Sequence, residues 1–369
     1  MLFNPFAVGV SNLFNQTSAF INMQNQWLKS VNHLIPRVPT SEMTVLHPDP
    51  QDVGQWQRNV FITPQTSEQT LLDELTYYTF IPTTTKDALP TKARGLVVML
   101  HGCEQNASVF AQGSQINVFA QKFGFIVLYP EQSKKNNLAQ CWRWYSLTKD
   151  AGIAEANTII QLIDMIAKEH AIHPSRIFVA GMSAGAGMAT ALAFSFPEKF
   201  AAVALHSGPA FAQAHGVASG LDVMGRSDTA SDEELLAHLG DFAKPKAHNI
   251  PTLIMHGVKD RRVNISNAEA LAKQALYLNK LPLNTKPVVT RHEEDTINAY
   301  TQKVYFSQRK QPLVKLIEVD NMGHEWAGGD TSLPFNGNIG PNSSEMILRF
   351  FYHHATPSNQ LSRSKTASS

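Results

Sequence analysis

Short runs of consecutive apolar residues alternate with longer segments of helical periodicity over residues 95 to 319. The runs Gly95 to Leu100, Phe125 to Tyr129, Arg176 to Ala180, Ala201 to Leu205, Thr252 to His256 and Val314 to Val319 predict buried strands. Ser114 to Phe123 and Ile153 to His170 predict helices, the second carrying Ile159, Ile160, Leu162, Ile163 and Ile166 as apolar contacts. A further helix is expected from about Ala184. Strands that are apolar throughout are buried on both faces, so the alternation predicts a mostly parallel α/β sheet covered by helices on both sides. Before it, Asn59 to Thr63 and Leu75 to Ile81 read as an antiparallel pair, followed by a turn-rich linker from Pro82 to Ala93.

Four other regions break the alternation. In residues 1–40, Phe6, Leu13, Phe20, Trp27 and Leu34 recur every seven residues, with Phe3, Val10 and Val31 beside them. That spacing predicts one apolar face of a helical extension, interrupted near Pro5 and Gly9. The face either packs on the body of the protein or docks to an apolar surface such as a polymer granule. The stretches 211–248 and 278–312 are expected to be irregular insertions over the strand ends, as a lid or a substrate wall. The tail 356–369 is polar and is expected to be disordered. One catalytic domain is therefore expected over about 58–355.

Composition removes several classes of function. With 31 basic and 30 acidic residues the net charge is +1, and no basic stripe offers the electrostatic footprint of a nucleic-acid binder. No run of about 18 apolar residues predicts a membrane span. The two cysteines, Cys103 and Cys141, do not form a zinc-type spacing. They can be a disulfide or two free buried thiols.

The chemistry concentrates at Gly181-Met182-Ser183-Ala184-Gly185, between the strand Arg176 to Ala180 and a helix of small residues. Strand, GxSxG and helix in that order form a nucleophile elbow, which lifts a serine hydroxyl above the sheet edge. Serine is a poor nucleophile at neutral pH and needs a base, and the base needs an orienting acid. Asp260 follows the strand ending at His256, and His324 follows the strand ending at Val319. Ser183, Asp260 and His324 thus stand in the chain order of the triad in this architecture. His206 and His256, at strand ends, are either satisfied core residues or rival bases, and Asp320 is a rival acid beside the base loop. The oxyanion donors are expected to be the backbone N–H groups of Ala184 and Cys103, the latter in the loop His101 to Gln105. Trp326, two residues from His324, and Met182 are candidate substrate contacts, while Trp142 and Trp144 are expected in the core.

Four motifs carry a family resemblance. They are Leu100-His-Gly-Cys-Glu-Gln-Asn106; Tyr129-Pro-Glu-Gln132 with Cys141-Trp-Arg-Trp144; the Ser183 elbow with His206-Ser-Gly208; and Gly323-His-Glu-Trp-Ala-Gly-Gly329 with Gly340-Pro-Asn-Ser343. Over roughly residues 95–350 the chain resembles the polyhydroxybutyrate depolymerase family of esterases, which includes feruloyl and acetylxylan esterases. The resemblance implies an α/β-hydrolase fold, Ser183, Asp260 and His324 as the triad, and pairing of Cys103 with Cys141. It implies cleavage of esters, often in polymers; acyl transfer through a serine nucleophile itself requires no metal or cofactor. Residues 1–40 and the stretches at 211–248 and 278–312 go beyond the family's compact pattern. An oligopeptidase of the same fold would be expected to bring a larger extra domain. A non-catalytic granule-associated protein would have no need of all three triad residues. The start of the chain lacks the pattern of a secretory signal and points to the cytoplasm, whereas the family points outward.

Overall fold

A computed structural model describes residues 54–64, 72–83, 95–146, 151–226, 231–237, 239 and 249–355. The helical extension expected over residues 1–40 and the tail at 356–369 lie outside the described residues.

Six strands run parallel through the centre of a ten-stranded sheet. They are β3 (Gly95–Leu100), β4 (Phe125–Glu131), β5 (Ile177–Met182), β6 (Ala202–His206), β7 (Thr252–Gly257) and β10 (Pro312–Val319). On one side β2 (Glu74–Pro82) pairs antiparallel with β4, and β1 (Gly54–Ile62) pairs antiparallel with β2. On the other side β9 (Tyr300–Phe306) pairs antiparallel with β10, and β8 (Val288–His292) pairs with β9. The spatial order is β1-β2-β4-β3-β5-β6-β7-β10-β9-β8.

The two-residue repeat of a strand divides its side chains between two cores. Leu96, Val98 and Leu100 of β3 and Ile177 and Val179 of β5 enter one core. It is closed by Ile159, Leu162, Ile163 and Ile166 of α3 (Ala151–Glu169), by α4 (Ala184–Ser195) and by α7 (Ser266–Leu278). Val97, Met99, Phe178 and Ala180 enter the other, under α1 (Ala107–Ser114), α2 (Ile116–Phe123) and α8 (Ser343–Ala355). Each fully buried Ile or Leu adds roughly 1.5–3 kcal/mol relative to exposure. The parallel sheet covered on both faces is the architecture the apolar runs predict.

Two expectations need correction. The helix expected over Ser114 to Phe123 is α2, starting at Ile116, and a further helix, α1, precedes it, the two separated by Gln115 in a left-handed conformation (φ 54°). The stretch 278–312, expected as irregular wall, holds β8 and β9 and so extends the sheet at its edge. Within 211–248, α5 (Val217–Gly225) and α6 (Asp232–Ala237) contribute Val223 and Leu235 to a small cluster with Trp144 and Ala184. The partly buried Cys103 and Cys141 pack against that cluster.

Candidate active site

Since β3 to β7 and β10 run parallel, the loops leaving their C-terminal ends share one edge of the sheet. β5 delivers Ser183 there with φ 55° and ψ −122°, a conformation costly for a residue with a side chain. The elbow closes because its glycines lack Cβ atoms. A Cβ on Gly181 would lie 2.3 Å from Gly185 O, and one on Gly185 would lie 2.0 Å from Leu100 O. Ser183 is the N-cap of α4, yet its hydroxyl makes no capping hydrogen bond, which is the usual employment of serine at that position. The hydroxyl is therefore not spent on the helix.

The loops after β7 and β10 are laced together. Val258 N donates to Val319 O at 2.9 Å, and Lys259 N donates to Met322 O at 3.0 Å. A Cβ on Gly257 would stand 2.3 Å from Met322 O, so that approach needs glycine. The lacing brings His324 Nδ1 to 2.7 Å from Asp260 Oδ2. Asp260 Oδ1 accepts from Arg262 N at 2.8 Å and Val263 N at 2.9 Å. Burial pushes the Asp260 carboxyl up, but hydrogen bonds from His256 and His324 outweigh it and hold the group well below the usual carboxylate range. An ionised carboxylate only accepts, so His324 carries its proton on Nδ1 and leaves Nε2 as its basic nitrogen.

A second histidine serves the same carboxylate. His256, fully buried at the end of β7, donates from Nε2 to Val263 O at 2.8 Å and stands 3.4 Å from Asp260 Oδ2.

On the other side of Ser183 lies the loop after β3. A Cβ on Gly102 would be 3.4 Å from Ser183 Cβ, so this loop touches the elbow. His101 is fully buried, and burial pushes its pKa down to about 4 against a hydrogen bond with Gly102. Neutral imidazole has one N–H. Gln132 N donates to Nε2 at 3.1 Å, so the proton sits on Nδ1 and is donated to Gly102 O at 2.8 Å. A trans peptide is planar, with C=O and N–H opposed. Pinning the Gly102 carbonyl therefore fixes where the Cys103 N–H points. Cys103 is bonded to Cys141, and Glu104 N donates to Ala139 O at 2.7 Å. The two cysteines left open by composition are a disulfide, the pairing the resemblance implies.

Residues 75–294 match the family model described as Esterase PHB depolymerase. The chain belongs to this family. A poly(3-hydroxyalkanoate) depolymerase C of Paucimonas lemoignei is 32% identical over 62% of the chain, and the chain spans about half (54%) of that relative's length. A feruloyl esterase B of Neurospora crassa is 28% identical over 74% of the chain and 86% of its own. An acetyl xylan esterase structure from Aspergillus awamori superposes with a TM-score of 0.61 and 18% identity, covering 81% of this chain and 99% of that one. The fold is that of an α/β-hydrolase.

Two expected substrate contacts are corrected by this PHB depolymerase-family structure. Trp326 has no exposed surface: it stacks on His206 at 4.7 Å, meets Phe110 edge-on at 5.4 Å and donates Nε1–H to Ser344 Oγ at 3.1 Å. Met182 is buried beneath the elbow among Phe178, Ala204 and Met255. Proximity in sequence misled in both cases, because a β-strand alternates sides and a loop can turn inward. Trp142 and Trp144 are buried, as expected of core residues.

His206 and His256, expected as satisfied core residues or rival bases, are both fully buried, and His101, expected with Gly102 to let the oxyanion loop turn in, also holds the Gly102 carbonyl. His206 is fully buried, bonds Ser343 Oγ at 3.1 Å, and is pushed down to about 3 by burial and by the neighbouring His256 and His324. Among the described residues no cluster of His, Cys, Asp and Glu is arranged to hold a metal ion.

Proposed function

We propose that this chain is a serine esterase that cleaves a hydroxyalkanoate-type polyester, or its oligomers, through an acyl-enzyme on Ser183. The observation that carries the reading is the 2.7 Å contact between His324 and Asp260, together with an elbow that leaves the Ser183 hydroxyl uncapped.

In this mechanism His324 Nε2 removes the Ser183 proton as Oγ attacks the ester carbonyl. The N–H groups of Cys103 and Ala184 receive the developing oxyanion. Ala184 opens α4, and the first N–H groups of a helix have no intrahelical acceptor. One such donor stabilises the transition state by about 3 kcal/mol. His324 then protonates the departing alkoxide, and Asp260 stabilises the imidazolium throughout. Water repeats the sequence and releases the acid.

Kinship with the poly(3-hydroxyalkanoate) depolymerase supports a polyester substrate. A second reading, a feruloyl- or acetyl-type esterase acting on small or polysaccharide-linked esters, is supported by the feruloyl esterase relative. Docking to a polymer surface is proposed for residues 1–40, with a non-catalytic granule-associated protein as the reading if chemistry is missing.

The test compares hydrolysis of short and long p-nitrophenyl esters with clearing of a polyhydroxybutyrate suspension, for the wild type and Ser183→Ala. Clearing lost in the variant establishes the depolymerase. Soluble-ester turnover without clearing selects the second reading. Turnover retained by Ser183→Ala overturns the mechanism.

A further inference from the structure

Among the described residues, the esterase mechanism leaves one fully buried carboxylate without a role. Glu155 sits in the first turns of α3 with no exposed surface. Isolated charge in a protein interior is costly, so what it binds matters. Oε1 accepts from Gln132 Nε2 at 2.6 Å, and Oε2 accepts from Arg143 N at 2.7 Å. The Arg143 guanidinium lies 3.8 Å from Oε1. One carboxylate thus grips both ends of the segment 132–143. The grip is rigid, because α3 lies directly on the adjoining backbone: a Cβ on Gly152 would be 2.1 Å from Ser146 O and 2.3 Å from Arg143 O.

From that grip two routes lead to the same peptide. Through Gln132, whose N–H bonds His101 Nε2, the first route ends where His101 Nδ1 holds Gly102 O. Through Arg143 the second reaches Cys141, two residues earlier, and crosses the disulfide to Cys103. The Glu104–Ala139 hydrogen bond runs alongside it. One route fixes the carbonyl of the Gly102–Cys103 peptide, and the other fixes the Cα that follows its N–H.

We propose that Glu155 is a positioning residue for the oxyanion hole, orienting the Cys103 N–H through Gln132–His101 and through the disulfide-bonded segment. The proposal rests on the reading of that N–H as an oxyanion donor. Glu155 does not touch substrate. It acts by keeping a donor aimed at where charge develops, which lowers the barrier without changing ground-state binding.

Glu155→Gln keeps the shape but presents an NH2 group to one of the two donors the carboxylate now accepts. Turnover of p-nitrophenyl butyrate is measured per active site, titrated with a fluorophosphonate. The expected result is kcat lower by about tenfold to a hundredfold, with KM within about twofold. Affinity for an alkyl boronic acid, which forms a tetrahedral adduct on the serine, is expected to fall by a similar factor. A purely structural Glu155 would reduce the titrated fraction and the thermal midpoint, leaving kcat per site and boronate affinity at wild-type values, and that result overturns the proposal. Where Glu155→Gln does not fold, Gln132→Met is read in the same way, since it removes the held amide and keeps the backbone N–H. Ser183→Ala separates the two levels. Residual turnover there overturns the esterase mechanism itself, whereas an inactive Ser183→Ala beside a fully active Glu155→Gln overturns only the positioning role.

Discussion

His256 Nε2 stands 3.4 Å from Oδ2 of Asp260, the same oxygen that accepts the Nδ1 proton of His324 at 2.7 Å. The acid of the proposed triad is therefore held by one side chain from the end of β7 and one from the loop after β10, as well as by the N–H groups of Arg262 and Val263. His256→Phe keeps the ring volume and removes the donor. It leaves Val263 O without this partner, at a cost of about 1–3 kcal/mol, and loosens the carboxylate. A fall in kcat of about tenfold is expected, well short of the ~10⁴-fold loss expected for Asp260→Asn. Steady-state kinetics on the two variants, with thermal midpoints, checks the order. Wild-type kcat in His256→Phe would assign this histidine to stability alone.

Trp326 supplies a second test, because its position beside His324 in sequence suggests a substrate wall and its burial says otherwise. Trp326→Phe retains an aromatic ring against His206 and loses the hydrogen bond to Ser344, so a destabilisation of about 1 kcal/mol is expected. Trp326→Ala, which opens a core cavity, is expected to lose about 3–5 kcal/mol. Acyl-chain preference, measured from acetate to octanoate esters, should not move in Trp326→Phe. A changed preference would return Trp326 to the substrate pocket.

The disulfide links residues 38 apart in sequence. By loop-closure entropy such a link restricts the unfolded chain by roughly 4 kcal/mol. Cys141→Ser should lower the urea midpoint by a corresponding amount. Wild-type protein unfolded in reductant should match the variant. A midpoint shared by variant and oxidised wild type would mean that the native segment 132–143 needs no covalent link.

How much of this was legible in the residues depends on the range of the interactions involved. Gly95–Leu100 reads as a strand because six apolar residues in sequence can hardly be anything but buried. Asp260 and His324 are legible because each follows an apolar strand, and parallel strands send their loops to one edge. The helix α1 before Gln115 escapes notice because its eight residues are too short to stand out as a separate period from α2. Val288–His292 and Tyr300–Phe306 escape notice because β8 is an edge strand with exposed side chains, so no buried face imposes a pattern. The grip of Glu155 on Gln132 and Arg143, and the contact of His206 with Ser343 across 137 residues, are long-range polar matches. A single chain carries no local sign of them.

Glu155 also makes a prediction for pH. Burial pushes its carboxyl up to about 7, opposed by the hydrogen bond from Arg143 N, the Arg143 charge and the hydrogen bond from Gln132. The other ionisable group facing it, Tyr145, is itself pushed up to about 12 by burial and stays neutral. An unfolded glutamate titrates near ~4.3. Below that value both states hold the proton, and above about 7 both have released it. Between the two values the folded protein holds a proton that the unfolded chain has lost, so stability falls as pH rises. The decline attributable to Glu155 is of order 3 kcal/mol across the window. Glu104 and Glu131 are also raised by burial, so the wild type alone does not isolate the effect. Subtracting urea-unfolding free energies of Glu155→Gln from those of the wild type at pH 5, 6, 7 and 8 does. The difference should shift against the wild type up to about pH 7 and level off above it. Ionisation supplies the acceptor that the oxyanion loop relies on, so kcat of the wild type relative to the variant should rise over the range in which its relative stability falls. A constant difference in free energy across the four pH values would mean that the Glu155 carboxyl does not titrate there, and the opposed trends of stability and turnover would disappear with it.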